Sequence, residues 1–591
     1  IISHTAATNS TVLNNARTVR AQIKFTHIAN APCVDPPTPG TTQASSVNVC
    51  AGQTFGLSLQ GTSFGQGQTY QWEQSVDSIV WTPIAGATLA NHSLTQSVAT
   101  AFYRCQVTCG NTTLPSTPIR VDALINALNG IYTVNAALPN SANNFQSLAS
   151  ALSAINCAGI GSPVTLSLAP GTYTGSYLVG NYSGNSNSLT ITSATGVAAD
   201  VVFTNTGTGN VFSLDGARNV TISSITITTT AAPTVASAGI FINNANNIVL
   251  VGNNISGFAG NTSANNRTIY ATNTNGLLVL NNQLSAAYYG IYHAGAASPG
   301  FSSNNQYIAN QITNCYYYGI YLTNEQAVLI DGNTISDFQA NVSAQSIYLA
   351  RLREITVTNN RMLGDVGIYG IYMSNISMPT TAGAQNLIAN NVIAGDFTST
   401  TPRAIYLTAS ATDSVDQVTI AHNSIELRSN TTSTTANGVI FLTGGTLAAP
   451  AVATGGFRLY NNSIRAVRQT TATNFAGLYL SADHLNDKLA ASNNLYDMQV
   501  TNTAGDIRVA STNYTLAAWL TLTGLEVGSI NGNPLYTSAN DLTPLSVSPL
   551  KDAATPLAYV TNDIVGNPRG SSPDIGAFEI QVVGNDILMV D

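Results

Sequence analysis

Three aspartates recur at the same kind of place in the chain. Asp365 and Asp396 each follow an asparagine, Asn360 and Asn391, by five residues, and Asp337 follows Asn333 by four. Ser336-Asp337-Phe338, Gly364-Asp365-Val366 and Gly395-Asp396-Phe397 read as one turn repeated in three successive units. Stacked on one another, neighbouring carboxylates would sit near the strand spacing of ~4.8 Å. That is close to the separation retaining glycosidases use, and it also suits Ca²⁺. If the chain is an enzyme, these aspartates and Arg361, with Arg353 nearby in sequence, are its catalytic candidates. An Asp after Gly or Ser at a strand exit also makes a plain turn hydrogen bond, and that simpler role is the one we favour.

A second set is aromatic. Tyr270, Tyr292, Tyr321, Tyr348, Tyr372, Tyr406 and Tyr479 each end a Gly-Ile-Tyr unit or a near variant, with Phe241 and Ile440 filling two gaps. An outward tyrosine stripe would stack on sugar rings or pack against another chain. Equally, it would stack on itself as a stabilising ladder. His293, His422 and His484 have no spaced partners and read as surface or corner residues, not ligands. No metal site is expected from the cysteines either, because no Cys-x-x-Cys or His-spaced pattern accompanies them. Cys33, Cys50, Cys105 and Cys109 cluster in the first fifth of the chain, so disulfides and an oxidising compartment are expected, with connectivity open. Cys157 and Cys315 stand alone.

The elements that must position these residues are strands. Only 8% of the 591 residues are charged, and Asn, Thr, Ser and Gly fill the polar positions, as in extracellular β-proteins. The net charge of −8 comes without a basic cluster, so nucleic acid is not an expected partner. No apolar run is long enough to span a bilayer. The Gly-Ile-Tyr units have their first apolar residue at 240, 269, 291, 320, 347, 371, 405, 439 and 478. They alternate with an Asn-x-Ile unit whose Asn falls at 253, 282, 310, 333, 360, 391, 423, 462 and 493. In Gly319-Ile320-Tyr321-Leu322, Ile320 and Leu322 point one way and Tyr321 the other. Each unit offers too few inward apolar residues to fold alone but enough when stacked, so the spacing predicts a parallel β-helix with variable loops. About a dozen coils at ~4.8 Å would make a rod of roughly 60 Å.

The expected fold is all-β, an Ig-like β-sandwich followed by a right-handed parallel β-helix with short capping helices. Residues 1–44 hold an alternating strand, Val19 to Ile28, and a Pro-rich linker. Residues 45–122 read as the sandwich, with Trp72 between Cys50 and Cys105 and Tyr103 two residues before Cys105, the spacing of a tyrosine corner. Residues 123–160 form a connector and a capping helix, begun at Asn143 or Asn144, with Phe145, Leu148, Leu152 and Ile155 on one face and Gly159 at its end. The β-helix occupies 161–510, and 511–591 closes it with a short helix over Thr515 to Thr523 and a terminal strand.

Gly130-Ile131-Tyr132-Thr133-Val134, Asn144-Phe145-Gln146-Ser147-Leu148, Gly161-Ser162-Pro163-Val164-Thr165 and Pro170-Gly171-Thr172-Tyr173 resemble the opening of the β-helix domain in large surface proteins exported by type IX secretion. Asp574-Ile575-Gly576-Ala577-Phe578-Glu579 is similar to the ending of many right-handed β-helix, pectin-lyase-like domains. The stretches around Trp72 and Cys105 resemble the Ig-like repeats found beside them. The resemblance implies a protein at the outer surface of a Gram-negative bacterium, without fixing an activity. The paired-Asp, Gly-His-Gly and Arg-x-Lys signatures of polygalacturonases are absent, and Lys488 is the only lysine in 160–500. The leading expectation is a structural or adhesive surface rod whose partners are other copies of itself, through donation of the strand at 19–28, or a surface polysaccharide. A polysaccharide lyase or glycoside hydrolase, and a non-catalytic carbohydrate-binding protein, are the alternatives. No cofactor is expected beyond Ca²⁺ at the aspartate column.

Overall fold

The computed structural model describes residues 31–581, apart from 51, 96–98, 125, 206, 231, 297–299, 409–416, 431–434, 436, 444–455, 469–474, 482–488 and 501–504. The strand expected at 19–28, with its donation to a neighbour, and His484 and Lys488 lie outside the described residues. The chain divides into two compact units, residues 1–123 and 124–591.

The first unit is a two-sheet β-structure. Strands Thr41–Ala44, Thr54–Gln60 and His92–Thr95 form one antiparallel sheet. The other runs Asn48–Cys50, Ile119–Leu124, Ala101–Cys109, Thr69–Ser75 and Thr82–Pro83, with Thr112–Pro115 also pairing on Ala101–Cys109. Strict alternation along Ala101–Cys109 buries Ala101, Tyr103, Cys105, Val107 and Cys109. Trp72 lies fully buried against them and donates its indole N–H to the Leu89 carbonyl at 2.9 Å.

The cysteines differ from expectation. Cys33 is bonded to Cys109, but Cys105 keeps a free, buried thiol. The strands of Cys50 and Cys105 belong to the same sheet, with Ile119–Leu124 between them. Two strand spacings, ~9.6 Å, exceed what a disulfide spans. Cys105 is therefore a core residue.

The second unit is a parallel β-helix of three long sheets. Successive coils contribute strands to all three, and the pairings between coils are parallel until Thr512–Tyr514 turns back on Ile507–Val509. The first sheet has 15 strands and the other two 13 each. It opens at Leu128–Val134, a segment expected as connector, which pairs both Ile160–Leu168 and Asn144–Phe145. Helix α1, Leu148–Ala158, follows and buries Leu148, Ala151, Leu152, Ala154 and Ile155. Its cap is Ser147, whose hydroxyl accepts the Ser150 N–H, because Asn144 is already committed to a strand. Helix α2, Leu516–Thr523, is capped by Thr515 and closed by Gly524 in the left-handed region, and it buries Trp519 at the far end.

The repeat has a steric origin. In the Gly-Ile-Tyr units, a Cβ on Gly319 would lie 2.6 Å from the Ser346 carbonyl oxygen and 2.7 Å from Ile335 Cγ2. Gly290 meets Gly319 and Ile312 in the same way. Glycine is thus kept where the chain bends into the third sheet and backbone faces the core.

The asparagines form a continuous internal ladder. From Asn253 through Asn282, Asn310, Asn333, Asn360, Asn391, Asn423 and Asn462, each side-chain amide donates to the next Oδ1 at 2.9–3.1 Å. The run ends at Asn494, not at Asn493, which bonds the Ala553 carbonyl instead. Ser529 and Glu526 terminate it, each accepting from Asn494 at 2.8 Å.

Residues 530–580 are not an end piece. They fold back along the side of the coils. Tyr536, Leu542, Leu550, Ile575, Ala577 and Phe578 pack on Val392, Ala394 and Leu495 of the second sheet. Asn390, Asn461 and Asn493, at coil corners, donate to the carbonyls of Asn562, Thr555 and Ala553.

Candidate functional site

Each sheet of the β-helix turns a different outer face. The third carries the tyrosines. Phe241, Tyr270, Tyr292, Tyr321, Tyr348, Tyr372, Tyr406, Phe441 and Tyr479 pair directly from strand to strand. Phe441 takes the place expected for Ile440, which points inward opposite Ile405. The central rings lie face to face. Tyr292–Tyr321, Tyr321–Tyr348 and Tyr348–Tyr372 have centroids 4.9, 4.5 and 4.8 Å apart and interplanar angles of 5°, 3° and 20°. Their faces are covered by one another, so edges and hydroxyls remain for a partner.

A second column that the sequence reading missed stands beside it. Arg267, Tyr289, Tyr318, Gln345, Tyr369 and Arg403 are in register. The guanidinium of Arg267 lies 4.3 and 4.9 Å from the rings of Tyr270 and Tyr292, and that of Arg403 lies 4.0 Å from Tyr406 and from Phe441. Burial pushes the phenols of Tyr318 and Tyr348 up, Tyr348 to about 12, so these two rings carry neutral hydroxyls.

On the second sheet Asp365 and Asp396 are direct neighbours, and both are exposed. Asp337 falls one residue out of step: its strand places it opposite Gly364, where a Cβ would lie 2.8 Å from an Asp337 carboxylate oxygen. The three carboxylates therefore do not form one column. Asp396 pairs with Arg428 at 2.9 Å, and the chain of charges continues through Glu426, Arg465 and Asp497. Arg361 lies 5.6 Å from the ring of Phe578, and Arg353 is on another sheet. The structure thus brings Asp365 and Asp396 together and leaves Asp337, Arg361 and Arg353 apart. Among the described residues, no group of three or more His, Cys, Asp or Glu is placed to hold a metal ion.

The first sheet carries the feature that sequence gave no sign of. A cleft of about 940 Å³ lies on its outer face. Leu329, Thr356 and Leu387, stacked in register, form part of its lining, with Phe301 and Tyr559 contributing aromatic rings. Along it run Gln326, Arg353 and Glu354. Arg353 donates twice to the Gln326 amide oxygen, at 3.0 and 2.6 Å, and its guanidinium lies 4.7 Å from the Phe301 ring. Gln326 in turn donates to Glu354 at 2.9 Å. Burial pushes Glu354 up, but the N–H groups of Thr381 and Thr380, both at 2.8 Å, and Gln326 outweigh it and bring its pKa down to about 2. Phe301, Arg353 and Tyr559 are too far apart in the chain for spacing to have joined them.

His293 and His422 are fully buried, not surface residues. Inside the coil, His293 Nδ1 lies 2.7 Å from the Tyr307 hydroxyl and 3.2 Å from Glu325, which also accepts from Asn305 at 2.9 Å. The distance is that of an ion pair, but burial brings His293 down to about 3 and pushes Glu325 up to about 8. We read the contact as a neutral carboxylic acid beside a neutral imidazole.

Parallel strands stacked around an enclosed core define a parallel β-helix, and residues 238–425 match the family model described as a right handed beta helix region. Residues 38–123 match a domain of unknown function, DUF8696. No curated protein matches the chain. Among solved structures, the chain is similar to a family 28 exopolygalacturonase of Yersinia enterocolitica, at 10% identity over 88% of this chain and 100% of that one, with a TM-score of 0.29. It is also similar to the catalytic domain of a GH87 α-1,3-glucanase in complex with nigerose, at 11% identity over 82% and 98% and a TM-score of 0.35. A third is PfbA, a surface adhesin of Streptococcus pneumoniae, at 14% identity over 67% and 90% and a TM-score of 0.28. No helix among the described residues is long and apolar enough to cross a membrane.

Proposed function

We propose that this chain is an extracellular adhesive scaffold that holds a carbohydrate without cleaving it. The observation that carries the reading is the cleft on the first sheet. It combines aromatic rings, an arginine and amide groups, the usual means of holding a sugar chain, and its one lining carboxylate, Glu354, is tied to a backbone turn. A general acid needs a carboxyl that keeps its proton near neutral pH, and Glu354 is held the other way. Asp365 and Asp396, the remaining candidates for hydrolysis, stand exposed on a different sheet, with Asp396 engaged by Arg428.

The Cys33–Cys109 disulfide supports an oxidising, extracellular location. An outer-surface position in a Gram-negative bacterium, export by type IX secretion and an Ig-like character for the first unit are parts of the same proposal, resting on sequence resemblance, and so is assembly into fibres, which rests on the low charge and the alternating sequence at 19–28. So is Ca²⁺ at Asp365 and Asp396. A glycan panel tests the core of the reading: binding with no release of reducing ends or unsaturated products is expected. Cleavage that disappears in Asp365→Asn would reverse it in favour of a glycoside hydrolase or lyase. Imaging of the native particle decides between single rods and fibres.

A further inference from the structure

Gln326 does something specific in the cleft. It is inserted between a cation and an anion, accepting from Arg353 through its amide oxygen and donating to Glu354 through its amide nitrogen. Arg353 and Glu354 are adjacent in sequence yet make no ion pair. Glu354 instead turns to the backbone of Thr380 and Thr381 and the Thr380 hydroxyl. Its left-handed backbone, φ +57°, aims successive side chains apart. Among the described residues, no carboxylate lies within ion-pair distance of Arg353. Its charge is held in place, by two hydrogen bonds and the Phe301 ring, but is not neutralised.

The same face carries a second such cation. Arg458 is in register with Thr419, which follows Leu387 in the column lining the cleft. It is close enough to Tyr559 to act on that phenol, and it too has no carboxylate partner among the described residues. Beside the two arginines the lining offers threonine, leucine and aromatic surface, which suits the apolar face of a pyranose.

We propose that this cleft takes an anionic glycan, with Arg353 as the anchor for a carboxylate or sulfate and Gln326 as the positioning residue that keeps Arg353 from its internal neutraliser. The proposal rests on the adhesive reading and narrows it to one ligand chemistry. A planar guanidinium binds such groups through paired, charge-assisted hydrogen bonds. On binding, the anion would supply the charge that Gln326 withholds.

The test is affinity measured by calorimetry on the full chain, with four probes: an oligouronate, its methyl ester, a sulfated glycan without carboxylates, and a neutral glucan. Binding of the oligouronate or the sulfated glycan is expected, at least tenfold tighter than the ester and the glucan, and those two arms identify which anion is used. Arg353→Gln should lose tenfold or more against the anionic probe. Gln326→Glu should do the same, by placing a carboxylate beside Arg353, and it serves as the check if Arg353→Gln fails to fold by circular dichroism. Affinities for both anionic probes no higher than for the ester and the glucan, or folded variants within twofold of the parent, would overturn the proposal. Binding of the neutral glucan alone would defeat it while leaving the adhesive reading intact. No binding to any probe would sink both.

Discussion

Asn360 Oδ1 accepts from both the backbone N–H and the side-chain amide of Asn333, at 3.0 and 2.9 Å, in a position closed to solvent. Asn360 passes the pattern on by donating to Asn391 at 3.0 Å and to the Ile330 carbonyl at 2.9 Å. Every amide of the ladder thus satisfies groups in the coils on either side. Asn360→Ala would strand a buried N–H, an amide and a carbonyl at once. Each stranded group costs about 1–3 kcal/mol, so a loss of roughly 3 kcal/mol or more is expected in denaturant unfolding. Asn360→Asp, which keeps the acceptor and loses the donor, should fall between the two.

The buried Glu325 predicts a pH dependence with a definite sign. Its folded pKa, about 8, is raised above the ordinary 4.5 by burial. Between those values the unfolded chain gives up the proton and the native one keeps it, so stability falls as pH rises and the fall is complete above about 8. His293, held neutral by burial down to about pH 3, acts in the opposite direction below its ordinary value of 6.5. Melting temperatures should therefore decline from pH 6.5 to 8 in the parent and stay level across that range in Glu325→Gln. A decline of equal size in both proteins would show that Glu325 is not the group responsible.

The tyrosine wall is expected to contribute stability more than recognition. Tyr321 is stacked between Tyr292 and Tyr348 with nearly parallel rings, leaving no face for a sugar. Tyr321→Ala should cost roughly 2–4 kcal/mol from lost ring contacts and burial, while Tyr321→Phe should keep most of it. Glycan affinity, measured on the folded variants, should be the same as in the parent. A selective loss of binding would return the wall to the list of ligand surfaces.

The cysteines differ in what reaches them. Burial pushes the Cys105 and Cys315 thiols up to about 12, and both are enclosed. Neither should react with iodoacetamide until the protein unfolds, which mass spectrometry of labelled peptides would read. Removing the Cys33–Cys109 link, which closes a loop with a sequence separation of 76, should destabilise the first unit by about 4 kcal/mol on a chain-entropy estimate.

How much could be read in advance follows from what each feature depends on. Coil register was readable because inward isoleucines and outward tyrosines alternate along each strand. It slipped by one at Ile440, where Val439, Ile440 and Phe441 are all apolar and composition does not tell inward from outward. It slipped again at Asn493-Asn494, where two identical side chains compete for one position. Asp365 and Asp396 were correctly placed as neighbours, but Asp337 was not, since a one-residue difference in spacing moves a side chain off the column. The buried histidines and the cleft had no local signal. His293 meets Tyr307 and Glu325 only after the coil closes; coil stacking brings Phe301 to Arg353, and Tyr559 joins them only because residues 530–580 return along the outside.

That return has a bearing on biogenesis. Coils bearing Val392, Ala394 and Leu495 expose a greasy flank until Ile575, Ala577 and Phe578 arrive to cover it. A ribosome makes those three after the coils they cover, so the middle of the helix waits on residues synthesised later. A product cut short before Ile575 would display that flank to chaperones and proteases.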